Sequence, residues 1–238
     1  MRVLVTRPEP DASKTAARLR DLGHEPIVLP LTEITALAPA SPPDATEFDA
    51  VVLTSANAVT FAPDRLAARF GDLPCFTVGE RSGQAAFEAG FRTVVPADGD
   101  AHALVKLLAG KLPAGARLLY LCGRLRRPVL EDEMSRRGYA VTALETYRTD
   151  RVDHAAPDAE AAAGKLPVDA ALVYSRFGAE RLSALVSMTA LAPLVHNMRV
   201  VCMSGQTAGG LSDGLRMRAE IAASPAEDAL IALLGRAH

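Results

Sequence analysis

Several short stretches of this 238-residue chain mix hydroxyls, glycines and arginines in the way that anion recognition requires. They are Thr6-Arg7-Pro8, Thr54-Ser55-Ala56-Asn57, Val78-Gly79-Glu80-Arg81-Ser82, Cys122-Gly123-Arg124, Tyr174-Ser175-Arg176 and Ser204-Gly205-Gln206-Thr207. Hydroxyls cap helix starts and can also face a ligand. Small residues leave backbone N–H groups open at a helix N-terminus, where the dipole favours negative charge. Arginine adds forked recognition of carboxylate or phosphate. A plainer use exists for each. Ser55, Ser82, Ser175 and Thr207 are residue types that helix caps prefer. Arg7 before Pro8 suits a surface turn, and Tyr147 suits strand packing. Arg124, Arg126 and Arg127 are expected to begin a helix, where positive charge opposes the dipole; that placement points to a functional use for at least one of them.

Absent motifs narrow the chemistry further. These stretches hold no paired carboxylates. His24, His102, His154, His196 and His238 are scattered without metal-ligand spacing or a nucleophile partner, and read as solvated or structural. Cys75, Cys122 and Cys202 lie far apart with no CxxC pair, which disfavours zinc and a disulfide framework and suits a reducing cytoplasm. No metal and no cofactor is expected. No GxGxxG follows the first strand, and neither a P-loop nor a GxSxG elbow occurs. With 26 Lys and Arg against 28 Asp and Glu, the net charge of −2 offers no global field for nucleic acid. A polyanionic ligand would need a local basic patch. No run of about 18 apolar residues exists, so no membrane span is expected. The apolar run at the N-terminus is too short for an export signal and continues as a strand.

The elements that must position these residues are legible as short apolar runs followed by Ala-, Leu- and Arg-rich helical stretches. Strands are expected at Val3–Thr6, Pro26–Leu31, Ala50–Thr54, Cys75–Val78, Thr93–Val95, Arg117–Leu121 and Ala140–Leu144. Three more follow at Ala170–Tyr174, Arg199–Met203 and Glu220–Ala222. Most are continuous apolar runs, the mark of strands buried on both faces. Asp11–Leu22 is expected as a helix stopped by Gly23, and Ala159–Ala163 as helical. Alternation of this kind predicts an α/β fold with parallel sheets wrapped by helices. Ligands of such sheets bind outside the carboxyl ends of the strands, where the polar stretches above fall.

An internal repeat is superimposed on this pattern. Asp49-Ala-Val-Val-Leu-Thr-Ser55 resembles Asp169-Ala-Ala-Leu-Val-Tyr-Ser175, and Val78–Ala85 resembles Met203–Gly210. Ala103–Leu108 resembles Ala229–Leu234. The strand, helix, glycine and strand of Met1–Leu31 match those of Arg117–Thr146 around Gly138. Two similar domains can be cut from this either sequentially or with the second nested inside the first. In the nested version the polar crossings near Thr32–Leu37 and Glu145–Asp150 form a hinge. Ala38–Pro43 is a linker by composition.

Taken in order, these segments resemble the uroporphyrinogen-III synthase family. Val3-Leu-Val-Thr6-Arg7-Pro8, with Pro30-Leu31-Thr32-Glu33-Ile34 after the first helix, is similar to its N-terminus. Leu53-Thr54-Ser55-Ala56-Asn57-Ala58-Val59 resembles its Thr-Ser-x-Asn-Ala-Val segment, and Val78-Gly79-x-x-Ser82 its next turn. Cys122-Gly123-x-x-Arg126-Arg127, Gly138-Tyr139 and Glu145-Thr146-Tyr147 resemble the third block. Ser175, Ser204-x-x-Thr207-Ala208 and Ser224-Pro225 follow in the later ones. The chain departs from the family pattern at Gly83, where alanine is usual, at Ser204, which replaces glycine, and at Arg176, where proline is common.

The resemblance implies the nested arrangement. It consists of two flavodoxin-like domains, 1–35 with 149–238 and 36–148, joined by a two-stranded linker around a cleft. It implies a cofactor-free cytoplasmic lyase that closes hydroxymethylbilane, a linear tetrapyrrole with eight carboxylates. The ring-A hydroxyl leaves, ring D attacks through its substituted carbon, and the spiro intermediate recloses with ring D inverted. Uroporphyrinogen III and water are the products. Positioning of the chain ends would carry up to about 7–11 kcal/mol of that task. Tyr147 is implied as the weak acid near the departing hydroxyl. Arg7, Thr54, Ser55, Asn57, Gly79, Ser82, Gly123, Arg127, Ser175, Ser204 and Thr207 are implied as carboxylate contacts. A monomer is expected, meeting the preceding pathway enzyme only transiently. The competing expectation is a non-catalytic tetrapyrrole or small-anion binding protein of the same two-lobed fold.

Overall fold

A computed structural model describes residues 1–235 except 40, 42, 64 and 65. His238 and part of the Ala38–Pro43 stretch therefore lie outside the described residues. In chain order the elements begin with β1 (Arg2–Val5), α1 (Asp11–Asp21), β2 (Glu25–Val28), β3 (Thr32–Ala36), β4 (Ala50–Leu53), α2 (Asn57–Thr60) and α3 (Leu66–Arg69). They continue with β5 (Cys75–Thr77), α4 (Glu80–Glu88), β6 (Val94–Pro96), α5 (Ala101–Lys111), β7 (Arg117–Gly123), α6 (Val129–Arg136) and β8 (Ala140–Arg151). The last part holds α7 (Ala156–Ala163), β9 (Ala170–Val173), α8 (Arg176–Val186), α9 (Ala192–Val195), β10 (Arg199–Cys202), α10 (Gly205–Ala208), α11 (Asp213–Arg216), β11 (Ala219–Ile221) and α12 (Glu227–Ala232).

Local chemistry accounts for the boundaries. Helix α1 buries Ala12, Thr15, Ala16 and Leu19 on one stripe, and places Asp11 in its first turn and Arg18 and Arg20 in its last. It ends where Gly23 takes φ 81°, a left-handed conformation that side chains resist. Asp100 caps α5 by accepting the Ala103 N–H at 2.9 Å. The polar crossings expected at Thr32–Leu37 and Glu145–Asp150 are themselves strand: β3 covers the first, and β8 runs on to Arg151 through the second.

Two parallel-dominated sheets organise the chain, and it divides into two compact units, Met1–Glu33 with Asp150–His238, and Ile34–Thr149. The first unit holds a five-stranded sheet ordered β11-β10-β9-β1-β2. Numbered along the chain, that is the doubly wound 2-1-3-4-5 order, whose switch point lies between β1 and β9. The second sheet runs β3-β8-β7-β4-β5-β6. If β7 and β8 are counted first and second and β4, β5 and β6 after them, its order is again 2-1-3-4-5, with the switch point between β7 and β4. The second unit thus has the topology of the first, entered at the third strand.

Both sheets are covered on both faces, which is why their strands read as unbroken apolar runs. In the first unit Val3, Val5, Ala170, Leu172 and Val201 pack with Leu230 and Ile231 on one side. Leu4, Ile27, Ala171, Val173 and Val200 pack with Ala179 and Leu182 on the other. In the second unit Val51, Leu53, Leu119 and Leu121 meet Ala58, Val59 and Phe70 on one side. Ala50, Val52, Leu118 and Tyr120 meet Leu104, Leu108 and Met134 on the other. The alternation follows the period of two along each strand. Among the described residues no helix is long and apolar enough to cross a membrane.

Candidate active site

The polar stretches singled out in the sequence fall just beyond the carboxyl ends of strands in their own unit. In the second unit Tyr147 on β8 lies over Gly123, the last residue of β7, and its hydroxyl is hydrogen-bonded to Ser55 beyond β4. Tyr147 is 9% exposed. A Cβ at Gly123 would stand 2.6 Å from the Tyr147 Cζ, so the ring occupies space that only glycine leaves open. Burial raises the Tyr147 phenol above its ordinary value; the Ser55 bond opposes that shift and the nearby Cys122 adds to it. The group is therefore a neutral hydrogen-bond donor at physiological pH.

The neighbours of this trio are fixed by hydrogen bonds. Ser55 Oγ accepts the Asn57 N–H at 3.2 Å, so the hydroxyl shapes the turn into α2, whose N-cap position is Ala56. Thr54 is bonded to the Tyr120 hydroxyl at 2.6 Å. Burial pushes the Tyr120 phenol up to about 12. Thr146 is fully buried and donates to the Ala58 carbonyl at 2.7 Å, tying β8 to α2. The Arg124 N–H donates to the Tyr147 carbonyl at 2.9 Å.

Gly79 and Ser82 stand one strand further out. Gly79 is the N-cap of α4 with extended backbone, and an added Cβ would meet only the Ala97 carbonyl at 3.9 Å. Ser82 is 6% exposed inside the first turn of α4, so it is not the cap that its type suggested.

Arg124, Arg126 and Arg127 do not begin a helix: Pro128 is the N-cap, and α6 opens at Val129 with Glu131 and Asp132 in its first turn. The acids hold the favourable end of the dipole and the arginines occupy the preceding loop. Arg127 is exposed. Arg124 reaches Glu145 at 3.0 Å, and Arg126 is the most engaged, donating to Glu131 at 2.7 Å and to Glu145 at 3.2 Å.

In the first unit Arg7 is not a surface residue. It pairs with Asp11 and with Glu227 at 3.0 Å, and its guanidinium lies 4.1 Å from the centre of the Tyr174 ring. Tyr174 and Thr15 both donate to Glu227, which Arg18 also contacts at 2.9 Å. Burial alone would raise the Glu227 carboxyl, but Thr15, Arg7, Tyr174 and Arg18 together hold it below the usual range. Ser175 caps α8 by accepting the Gly178 N–H at 3.0 Å, and Ser204 caps α10 by accepting the Thr207 N–H at 3.2 Å. Thr207 is buried inside α10 and touches Ser204.

Nothing in the residue types marks Glu227, Glu145 or Thr146, and Arg126 is one of three arginines for which the sequence predicts a functional use without choosing between them. Glu145 and Thr146 stand beside Tyr147, but only the pairing of β8 with β7 reveals their part. Cys75 and Cys122 are buried with thiols pushed up to about 12 by desolvation, and Cys202 to about 11. His102 pairs with Glu133 at 2.7 Å, while His24, His154 and His196 bond backbone carbonyls. Among the described residues no cluster of three or more His, Cys, Asp or Glu side chains could hold a metal ion.

The family model of uroporphyrinogen-III synthase HemD matches residues 13–232. The chain belongs to the uroporphyrinogen-III synthase family. It is accordingly a cyclising lyase of tetrapyrrole biosynthesis. No curated protein matches the sequence. Among solved structures it is similar to a uroporphyrinogen-III synthetase from Helicobacter pylori 26695, with 17% identity, 98% of each chain covered and a TM-score of 0.66. It is also similar to a mutant uroporphyrinogen III synthase from Thermus thermophilus, with 19% identity, 88% of this chain and 87% of that one covered, and a TM-score of 0.55. At these identities the likeness is one of fold, and the family match carries the function.

Proposed function

We propose that Tyr147, with Ser55 and over Gly123, carries the closure of hydroxymethylbilane to uroporphyrinogen III in this chain. The observation behind this reading is a buried, neutral phenol whose hydroxyl partner is another hydroxyl rather than a charge. Its raised pKa makes full proton donation costly, so its part is to hydrogen-bond the departing ring-A hydroxyl. The pyrrole electrons expel that hydroxyl, which leaves as water with the proton shed by the ring-A nitrogen. The substituted carbon of ring D attacks, the spiro intermediate reopens and recloses with ring D inverted, and the proton lost from the ring-D carbon on closure restores the pyrrole N–H.

Thr54, Asn57, Gly79, Ser82, Gly123, Arg127, Ser175, Ser204 and Thr207 supply hydroxyls, amides and charge for the substrate carboxylates, while Arg7, already paired with Asp11 and Glu227, holds the Tyr174 cluster instead. Ser175 and Ser204 use an oxygen lone pair in capping and retain a proton to donate. The two units are read as flavodoxin-like domains, the first of them discontinuous, with β3 and β8 as the two-stranded linker. Operation as a cytoplasmic monomer that meets the preceding enzyme transiently completes the reading. The three buried free thiols suit a reducing compartment.

The test is Tyr147→Phe assayed with freshly made hydroxymethylbilane, the type III and type I isomers being separated after oxidation. Turnover to type III is expected to fall about 100-fold with the fold intact by circular dichroism. Unchanged turnover removes Tyr147 from the mechanism.

A further inference from the structure

In a regular strand Glu145 and Tyr147, two apart, would share a face. Here Cys122 pairs with Glu145 while the next residue, Gly123, pairs with Tyr147, so β8 carries one extra residue at Thr146. Cys122 packs with Tyr120 and Met134 on one side of the sheet. Tyr147 packs with Leu53 and Ala58 on the other. The bulge thus sends Glu145 and Tyr147 to opposite faces. A slip of one residue would carry the Tyr147 ring away from Gly123 and Ser55.

One side chain grips both sides of this register shift. Arg126 Nη1 donates to the Gly123 carbonyl at 3.2 Å and to Glu145 Oε1 at 3.2 Å. Its Nε donates to Glu131 Oε1 at 2.7 Å, and its guanidinium stands 6.0 Å from the centre of the Tyr120 ring. A planar fork is suited to such a grip, because several donors are fixed by one plane. Glu145 is shared with the more exposed Arg124, which contacts only its other oxygen, at 3.0 Å.

We propose that Arg126 is a positioning residue for the ring closure, locking the β7–β8 register so that Tyr147 stays aimed over Gly123 at Ser55. The inference rests on Tyr147 being the donor to the departing hydroxyl. Arg126 itself touches no reacting atom; its effect reaches the reaction through the bulge.

Turnover with fresh hydroxymethylbilane is measured for Arg126→Gln, Tyr147→Phe and the double variant, alongside each unfolding midpoint. Arg126→Gln is expected to lower kcat about tenfold with KM within about twofold, since a small misplacement of a positioned group acts on the chemical step. The double variant is expected within about twofold of Tyr147→Phe alone, because a residue acting through Tyr147 has nothing left to position. In protein labelled with ¹³C at tyrosine Cζ, the resonance lost in Tyr147→Phe is expected to move in Arg126→Gln. Losses that multiply independently overturn the proposal, as does wild-type kcat in Arg126→Gln. Wild-type turnover in Tyr147→Phe overturns the donor reading itself and is recognised without reference to Arg126. If Arg126→Gln does not fold, Arg126→Lys keeps the charge but not the fork, and is read by the same nesting of its loss within that of Tyr147→Phe.

Discussion

Each unit sets a tyrosine near the switch point of its sheet, and the two tyrosines are held in opposite ways. Tyr174 in the first unit donates to a carboxylate, Glu227, and stacks under the Arg7 guanidinium. Tyr147 in the second unit meets a neutral hydroxyl and a glycine. A phenol that donates to a charged acceptor in a partly buried site is committed, because losing that bond strands the carboxylate. A phenol bonded to serine can exchange one neutral partner for another at little cost. The same residue type at comparable places thus builds structure in one unit and remains available for chemistry in the other.

The sharpest way to break the comparison is Gly123→Ala. The new methyl would stand 2.6 Å from the Tyr147 ring and force it aside. Turnover should fall about 100-fold, with the tyrosine resonance of Tyr147 displaced; near-normal turnover would show that the ring position is immaterial. Glu227→Gln should remove about 2 kcal/mol from the stability of the chain, since several charge-assisted bonds converge there. The sign with pH is definite. The Glu227 carboxyl is depressed in the folded state, so its contribution is present above the ordinary carboxylate value of about 4.3 and is lost as pH falls through the folded value. Urea unfolding across that window should therefore show a shallower acid loss in Glu227→Gln than in the parent.

Tyr174→Phe should cost about 1 kcal/mol and leave turnover per folded molecule near the parent value, in contrast to Tyr147→Phe. The Tyr174 phenol is raised to about 12 by burial, the Thr15 bond opposing. Its folded-state stability is thus intact below about 10 and lost as pH climbs through about 12, an alkaline limb that Tyr174→Phe should flatten. A collapse of turnover in Tyr174→Phe would erase the distinction between the two tyrosines. Smallest is Gly83→Ala. A Cβ there meets Thr77 at 3.4 Å, Val94 at 3.6 Å and Pro96 at 3.7 Å, all near ordinary contact. Helix α4 should gain about 0.5–1 kcal/mol in thermal or urea unfolding.

The architecture was legible because both sheets are buried on two sides. Ala50-Val-Val-Leu53 and Ala170-Ala-Leu-Val173 announce themselves as apolar runs wherever the turn residues fall. Strand β3 escaped, since Thr32-Glu-Ile-Thr-Ala36 is an edge strand with a half-polar face and carries no such run. At the site, residue types mark Ser55 and Gly123 as candidates, while Tyr147 stands out only through the family resemblance. The parts played by Glu227, Arg126 and Thr146 depend on partners far along the chain or on a register shift. Neither leaves a periodic trace. Arg127 and Arg126 are indistinguishable as letters, and only the carbonyl of Gly123 and the carboxylates of Glu131 and Glu145 separate them.

The order of strands in the five-stranded sheet has a consequence for synthesis. Val3 on β1 pairs with Ala170 on β9, so β1 leaves the ribosome well before the strand it pairs with. At about 5–20 residues per second that interval is on the order of ten to thirty seconds. The β4-to-β8 segment can complete its own sheet core meanwhile. The nascent β1, α1 and β2 meanwhile lack the strand that closes their sheet, an exposure that grows with the time taken to synthesise the segment between.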